Sequence, residues 1–290
     1  MTHDRLSSSL EIDRLGTEEI VSIIQSEDRT VADAVAASAR PIAQAIDGIA
    51  DRLGSGGRLF YVGAGTSGRL AMVDASEIPP TYGVSPDLVQ VLMAGGKEAF
   101  FSAVEGAEDD DVGAVREIEA RVKPEDAVVG VTASGTTPYT VAAVRKANML
   151  GALTVGITSA PGSPLTREVD IPIVAETGPE VILGSTRMKS GTAQKLILNT
   201  ISTGVMIRLG HVYSNLMIEM PATNIKLRSR AILMIQMAAG VDKPSAERAF
   251  DASGSNVKIA TVIAKLGVGR EEAENRLQDH RGNLREVLEK

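Results

Sequence analysis

The chain has 290 residues, 43% of them hydrophobic and 23% charged, the balance of a globular α/β domain with a smaller appendage. It has no cysteine, which excludes disulfides, thiolate catalysis and zinc–thiolate sites, and its histidines (His3, His211 and His280) are too scattered for a His-built metal site. The formal net charge is −7 with no block of Lys or Arg, so no nucleic-acid face is expected and any bound phosphate must be held by local geometry.

The first residues lack a basic region followed by an apolar stretch, and no run approaches 18 apolar residues; a cytoplasmic protein with no membrane contact is expected. Residues 1–53 form an N-terminal helical segment. Its helix is predicted over 17–53, with Thr30 and Asp33 as a capping pattern and Val35, Ile42, Ile46, Ile49 and Leu53 as an apolar face, stopped by Ser55-Gly56-Gly57.

From residue 54 to about 215 the pattern becomes strand, polar turn, helix, repeated. The apolar runs lie at 58–63, 88–93, 127–132, 153–158 and 171–175. Continuous rather than alternating apolarity suits strands covered on both faces. The predicted fold is α/β: a doubly wound, five-stranded, mostly parallel sheet in three αβα layers, with ligands beyond the carboxyl ends of the strands. A long helix is expected at 189–210, closed by Gly210. A helical extension follows at 216–250, then a small helical module at 251–290, with a soft boundary near 240–255.

The turn after the first strand, GAGTSGRL, spells G-x-G-x-x-G with Gly63, Gly65 and Gly68. A dinucleotide site also wants an acidic residue at the tip of the second strand, but that strand ends in Ala94-Gly95-Gly96. The turn instead offers Thr66 and Ser67 at a helix N-terminus, which suits a phosphate monoester. Three further turns share this chemistry: TASGTTPYT (132–140), TSAPGSP (158–164) and GSTRMKSGT (184–192), the last adding Arg187 and Lys189. One such turn needs only N-capping to explain it. Several at one sheet edge point to a phosphosugar pocket.

Two carboxylates stand near these turns. Glu77 falls at or just beyond the end of the first crossover helix, where Pro79-Pro80 would fix the backbone; the plain reading is a solvated side chain. Glu108 belongs to an acidic cluster opening a helix at about 109–122, which the helix dipole alone explains, and Glu105 is its rival three residues earlier.

The strand–hydroxyl loop–helix units at 58–75 and 128–147 resemble the sugar isomerase (SIS) domain. Within that group, GAGTSGRL…DASEIPPTYG, AVEGAEDD, ASGTTPY, GSTRMKSGTAQKL and NLMIEMPATNIKL resemble the N-acetylmuramic acid 6-phosphate etherases, from about residue 10 to the C-terminus. The resemblance implies a cofactor-independent carbon–oxygen lyase of amino-sugar recycling from the cell wall. It would cleave a D-lactyl ether by elimination across C2–C3 of the open-chain sugar, then addition of water. It implies Glu77 as the acid acting on the lactyl oxygen and Glu108 as the base at C2 and then toward water, with Asp74 at most supporting them from behind. For the phosphate it favours Ser67, Ser134, Thr136 and Thr137, with Gly65, Thr66 and Gly135 allowing close backbone approach. Ser185, Arg187 and Lys189 would complete the pocket or serve as ordinary charges at a helix start. The resemblance leads one to expect a basic residue where this chain has Thr136, which leaves the phosphate's partners at that turn open. It also implies a UBA-like fold for residues 251–290 and a homodimer, for which the Ala/Met/Leu-rich helices at 193–239 offer apolar surface. The rival functions are a sugar-phosphate isomerase and a non-catalytic phosphosugar sensor. The first needs no acid for a leaving group; against the second stand Glu77, Glu108 and the lack of an added DNA-binding segment.

Overall fold

The computed structural model describes residues 4–289; His3 lies outside them. The chain divides into two compact units, one of residues 4–75 and 87–205, the other of 76–86 and 206–289.

The first unit opens with helices α1 (Thr17–Ala36) and α2 (Ala39–Gly54). The single helix expected over 17–53 is broken at Ala37-Ser38 because Ser38, buried there, donates its hydroxyl to the carbonyl of Val174 at 2.6 Å. Thr30 is not a cap: it lies inside α1 and donates to the carbonyl of Glu27. The strands are β1 (Leu59–Gly63), β2 (Val89–Met93), β3 (Ala127–Val131), β4 (Leu153–Thr158) and β5 (Ile171–Val174), all parallel in the order β2-β1-β3-β4-β5. The expected doubly wound sheet is present, and wholly parallel.

Both faces of β1 are buried, which is why its run is apolar at every position. Phe60 and Val62 meet α5 (Asp111–Arg121) and α6 (Pro138–Met149) in one core with Ile118, Tyr139 and Val144. Tyr61 faces the other way, toward α3 (Gly65–Tyr82), where its hydroxyl donates to Asp74. Burial, and then the Asp74 charge, push the Tyr61 phenol well above its ordinary pKa. Strand order reverses between β1 and β3, the topological switch at which open α/β sheets bind ligands.

Helix α3 does not stop at Pro79-Pro80. It runs on to Tyr82 although neither proline can donate to the carbonyl four residues earlier. Ile78 and Tyr82, one turn apart, are both buried, and their packing outweighs the local penalty. The chain passes into the second unit between Ala75 and Ser76, the two residues whose carbonyls lose those proline bonds.

The long helix α8 (Lys189–Arg208) leads into the second unit. There α9 (Ile225–Ala239), α10 (Lys243–Ala252), α11 (Val257–Leu266), α12 (Arg270–Asp279) and α13 (Leu284–Glu289) share one core around Phe250, Ala260, Ile235 and Leu277. The punctuation is local: Asn224, Asp242 and Asn256 accept N-terminal amides, and Gly240 and Gly267 close α9 and α11 in the left-handed region. The helical extension expected at 216–250 therefore holds two helices, α9 and α10, split at Gly240.

Candidate functional site

The turn from β1 into α3 explains its own glycines. A Cβ on Gly68 would lie 2.9 Å from the Gly63 carbonyl oxygen and 3.0 Å from Met93 Cγ, so only glycine lets α3 start this close to the sheet. Gly65 has a positive φ of 52° and nothing within 4 Å of where a side chain would stand. Its open face and the free N–H groups of the first helical turn form a place for an anion.

Ser67 is not open to solvent. Its hydroxyl donates to Gln194 Oε1 at 3.0 Å, both side chains being buried. Thr66 lies against the start of α8, where a Cβ on Gly191 would come within 3.7 Å of its methyl. The first hydroxyl turn and the segment leading into α8 are thus side by side, as the sequence implies.

Beyond β3, hydroxyls link in a chain. Thr137 Oγ1 and Thr132 Oγ1 are 2.8 Å apart, Thr132 and Ser134 3.4 Å, and Ser134 and Thr136 2.8 Å; the Thr136 amide also donates to Ser134 Oγ. Gly135, at φ 68°, leaves no room for a Cβ, which would sit 2.0 Å from Ser163 Oγ. That contact, with the Ser159 amide donating to the Ala133 carbonyl, ties the turns after β3 and β4 together. Ser163 Oγ and Gln194 Nε2 are buried without a hydrogen-bond partner among the described residues, so this edge of the sheet holds unspent polar capacity.

The basic residues of GSTRMKSGT separate. Lys189 is 3% exposed, donates to Glu27 Oε2 at 2.6 Å, and its amide is taken by Glu180. A neutralised, buried ammonium of this kind pins α1 to α8. Arg187 is exposed and Ser185 half-buried, its amide bonded to the carbonyl of Ile182.

Glu105 and Glu108 line one cavity of about 250 Å³ with Gly65, Arg69, Ala94 and Val104. Glu108 sits on a short 3-10 turn, Ala107–Asp109, just before α5, whose N-cap is Asp110. Neither glutamate has a hydrogen-bond or ionic partner among the described residues, and both are exposed. The hydroxyl turn after β3 does not line this cavity; it lies across the switch point, on the other side of β1. Glu77 is exposed on the last part of α3, in the second unit. Asp74 is buried and saturated, accepting from Tyr61, from Asn199 Nδ2 at 2.5 Å and from Ser202 Oγ at 3.0 Å.

Two residues of this region escaped the sequence reading. Gln194 orients Ser67, and no local signal marks a buried amide on a long helix. Arg69 had a signal within GTSGRL: a helical arginine with Gly65 and Val73 four residues away and Thr66 and Met72 three away has no acid to pair with. Among the described residues no group of three or more His, Cys, Asp or Glu could hold a metal ion, and no helix is long and apolar enough to cross a membrane.

Residues 41–148 match the family described as the glucokinase regulatory protein N-terminal SIS domain, and residues 103–203 match the SIS domain. The chain is 56% identical to the N-acetylmuramic acid 6-phosphate etherase of Symbiobacterium thermophilum over 92% of this chain and 89% of that one. It is 47% identical to the N-acetylmuramic acid 6-phosphate etherase of Clostridium beijerinckii over 99% of this chain and 95% of that one. Among solved structures it is similar to a phosphoheptose isomerase from Francisella tularensis, with a TM-score of 0.52 and 21% identity over 65% of this chain and 96% of that one. At that identity the likeness speaks for the fold alone.

Proposed function

We infer the chemistry of this chain from its descent: it belongs to the N-acetylmuramic acid 6-phosphate etherase family. We propose that it cleaves the D-lactyl ether at C3 of N-acetylmuramic acid 6-phosphate, giving N-acetylglucosamine 6-phosphate and D-lactate. The observation that carries this is the 56% identity to the Symbiobacterium thermophilum etherase over 92% of the chain; the cavity in which Glu105 and Glu108 stand beside the N-terminus of α3 supports the role given to Glu108.

Ring opening exposes a C1 aldehyde that acidifies the C2 proton. Glu108 removes that proton, the C2–H electron pair becomes the C2=C3 bond, and the C3–O bond breaks. Glu77, entering as the carboxylic acid, protonates the departing lactyl oxygen. Elimination therefore leaves Glu108 protonated and Glu77 ionised. Water addition restores both: Glu77 takes a proton from the water that attacks C3, and Glu108 returns one to C2. If Glu108 instead gives its proton to solvent before water adds, it serves as the base toward water, as the resemblance implies, and Glu77 stays with the oxygen at C3.

The phosphate is assigned to the Gly65, Thr66 and Ser67 amides, with the Ser134, Gly135, Thr136 and Thr137 turn and Ser185 and Arg187 flanking it. Ser67 contributes through its N–H, because its hydroxyl is engaged by Gln194. Lys189 is left out, because Glu27 already takes its charge.

We further assign the protein to the cytoplasm as a homodimer. The supporting feature is an apolar stripe on α9, where Leu233 and Met237, one turn apart, are 49% and 61% exposed. Light scattering should give twice 30.4 kDa; a mass at the monomer value refutes the dimer. The activity itself is tested by incubating the purified protein with N-acetylmuramic acid 6-phosphate and assaying D-lactate, whose absence would refute the reading.

A further inference from the structure

The loop that carries Glu105 and Glu108 has little of its own to hold it. It follows α4 (Glu98–Phe101), a single turn whose terminal carbonyls have no intrahelical donors. Residues 101–106 are exposed, and the backbone bonds after Ser102 are short-range: Ala107 to Val104, Asp109 to Gly106 and Asp110 to Ala107. Val104 and Ala107 pack over Gly95, and the turn that carries Glu108 rests on α6 at its far end; at its near end, where it leaves α4, the loop is held by the hydrogen bonds of one side chain.

That side chain is Arg69, on the second turn of α3. Its Nη2 donates to the carbonyls of Ala99 at 2.8 Å and Ser102 at 3.3 Å, and its Nε to that of Phe100 at 3.1 Å. Three carbonyls at the end of α4 are thus gathered by one planar fork, and the guanidinium lines the same cavity as the two glutamates. We propose that Arg69 is a positioning residue for the reaction: it ties the carboxylate loop to the anion-binding turn, so that one helix sets both the phosphate and the Glu108 base. Arginine suits this role and lysine does not, because three divergent acceptors need a rigid fork rather than a point charge. The proposal rests on the reading of Glu108 as the base, but its structural half stands apart from it.

The test uses Arg69→Ala and Arg69→Lys in the full chain with two readouts. The first is kcat and KM for D-lactate release; the second is hydrogen exchange of the free protein over residues 98–110, with β1 and β3 as internal controls. Displacing a catalytic group by about 1 Å costs on the order of 100-fold, so Arg69→Ala should lower kcat by about 10- to 100-fold with KM little changed. Exchange over 98–110 should rise while the strands stay protected. Arg69→Lys should recover part of the rate, and added methylguanidine should recover part of it in the alanine variant. Unchanged exchange over 98–110 would overturn the proposal, as would an unchanged kcat, or a raised KM at wild-type kcat, which would make Arg69 a substrate contact. If the wild type releases no D-lactate, the etherase reading fails while the exchange result still decides whether Arg69 holds the loop. Should Arg69→Ala unfold, shown by loss of strand protection, the lysine variant decides on the same two readouts.

Discussion

Two clusters in this protein set carboxylates beside cations and use them in opposite ways. In the second unit Glu219 is half-buried and bonded to both Lys258 and His211, while the Lys258 ammonium also donates to the Gly282 carbonyl. In the first unit Glu105 and Glu108 stand exposed around a cavity whose cation, Arg69, gives its donors to backbone carbonyls. The difference lies in where the positive charge is spent. A carboxylate neutralised by its neighbours holds structure together; one whose neighbouring cation is engaged elsewhere keeps its lone pairs for a substrate proton.

The largest effect is expected where an exposed carboxylate is removed, and Glu77, exposed on the last part of α3, is uncompensated among the described residues in the same way as the cavity pair. A general acid or base contributes about 10²–10⁴-fold. Glu77→Gln should therefore lower D-lactate release by that order while leaving the thermal midpoint near wild type; an active Glu77→Gln enzyme would remove the acid from the mechanism.

The compensated cluster should answer through stability instead. Lys258→Met leaves Glu219 without its ammonium, and stranding a buried polar partner costs about 1–3 kcal/mol. Urea unfolding should show the loss as a lower midpoint at unchanged slope; an unmoved midpoint would mean that the pair contributes nothing.

Acid should act on the same cluster. Burial pushes the Glu219 carboxyl up, but the hydrogen bond from His211 and the charge and hydrogen bond of Lys258 outweigh it, so the group ends below its ordinary value of 4.5. A carboxyl whose pKa is lower in the folded state adds stability that is complete above the unfolded value and disappears as pH falls through the folded one. Stability should drop as pH is taken below about 4.5, and Glu219→Gln should flatten that part of the curve. An identical acid limb in the variant would contradict the assignment.

The smallest expected effect is at the hydroxyl turn. Thr136 shares its bond with Ser134, and one neutral hydrogen bond is worth about 0.5–1.5 kcal/mol. Thr136→Ala should raise KM modestly and leave kcat alone; a collapse of kcat would place Thr136 at the chemistry.

Sequence made the scaffold legible because its signals are local. Five short apolar runs bounded by polar turns and spaced by helical patterns read as the strands of a covered sheet, and the central ones, β1 and β3, are buried at every position while β2 and β5 are partly exposed. What stayed hidden depends on distant partners. The bond from Ser38 to Val174 that breaks the N-terminal helix spans 136 residues, and the pair in which Glu27 neutralises Lys189 spans 162. Buried packing of Ile78 and Tyr82 carries α3 through two prolines and past Glu77, near which the sequence placed the end of the helix. Spacing alone could not separate Glu105 from Glu108, and both do line the cavity.

That pair gives the most direct test. Glu108→Gln and Glu105→Gln should be assayed side by side for D-lactate release from N-acetylmuramic acid 6-phosphate at equal folded concentration. Loss of about 100-fold or more in Glu108→Gln, with Glu105→Gln close to wild type, is the predicted result. An active Glu108→Gln enzyme, or loss confined to Glu105→Gln, would contradict the account.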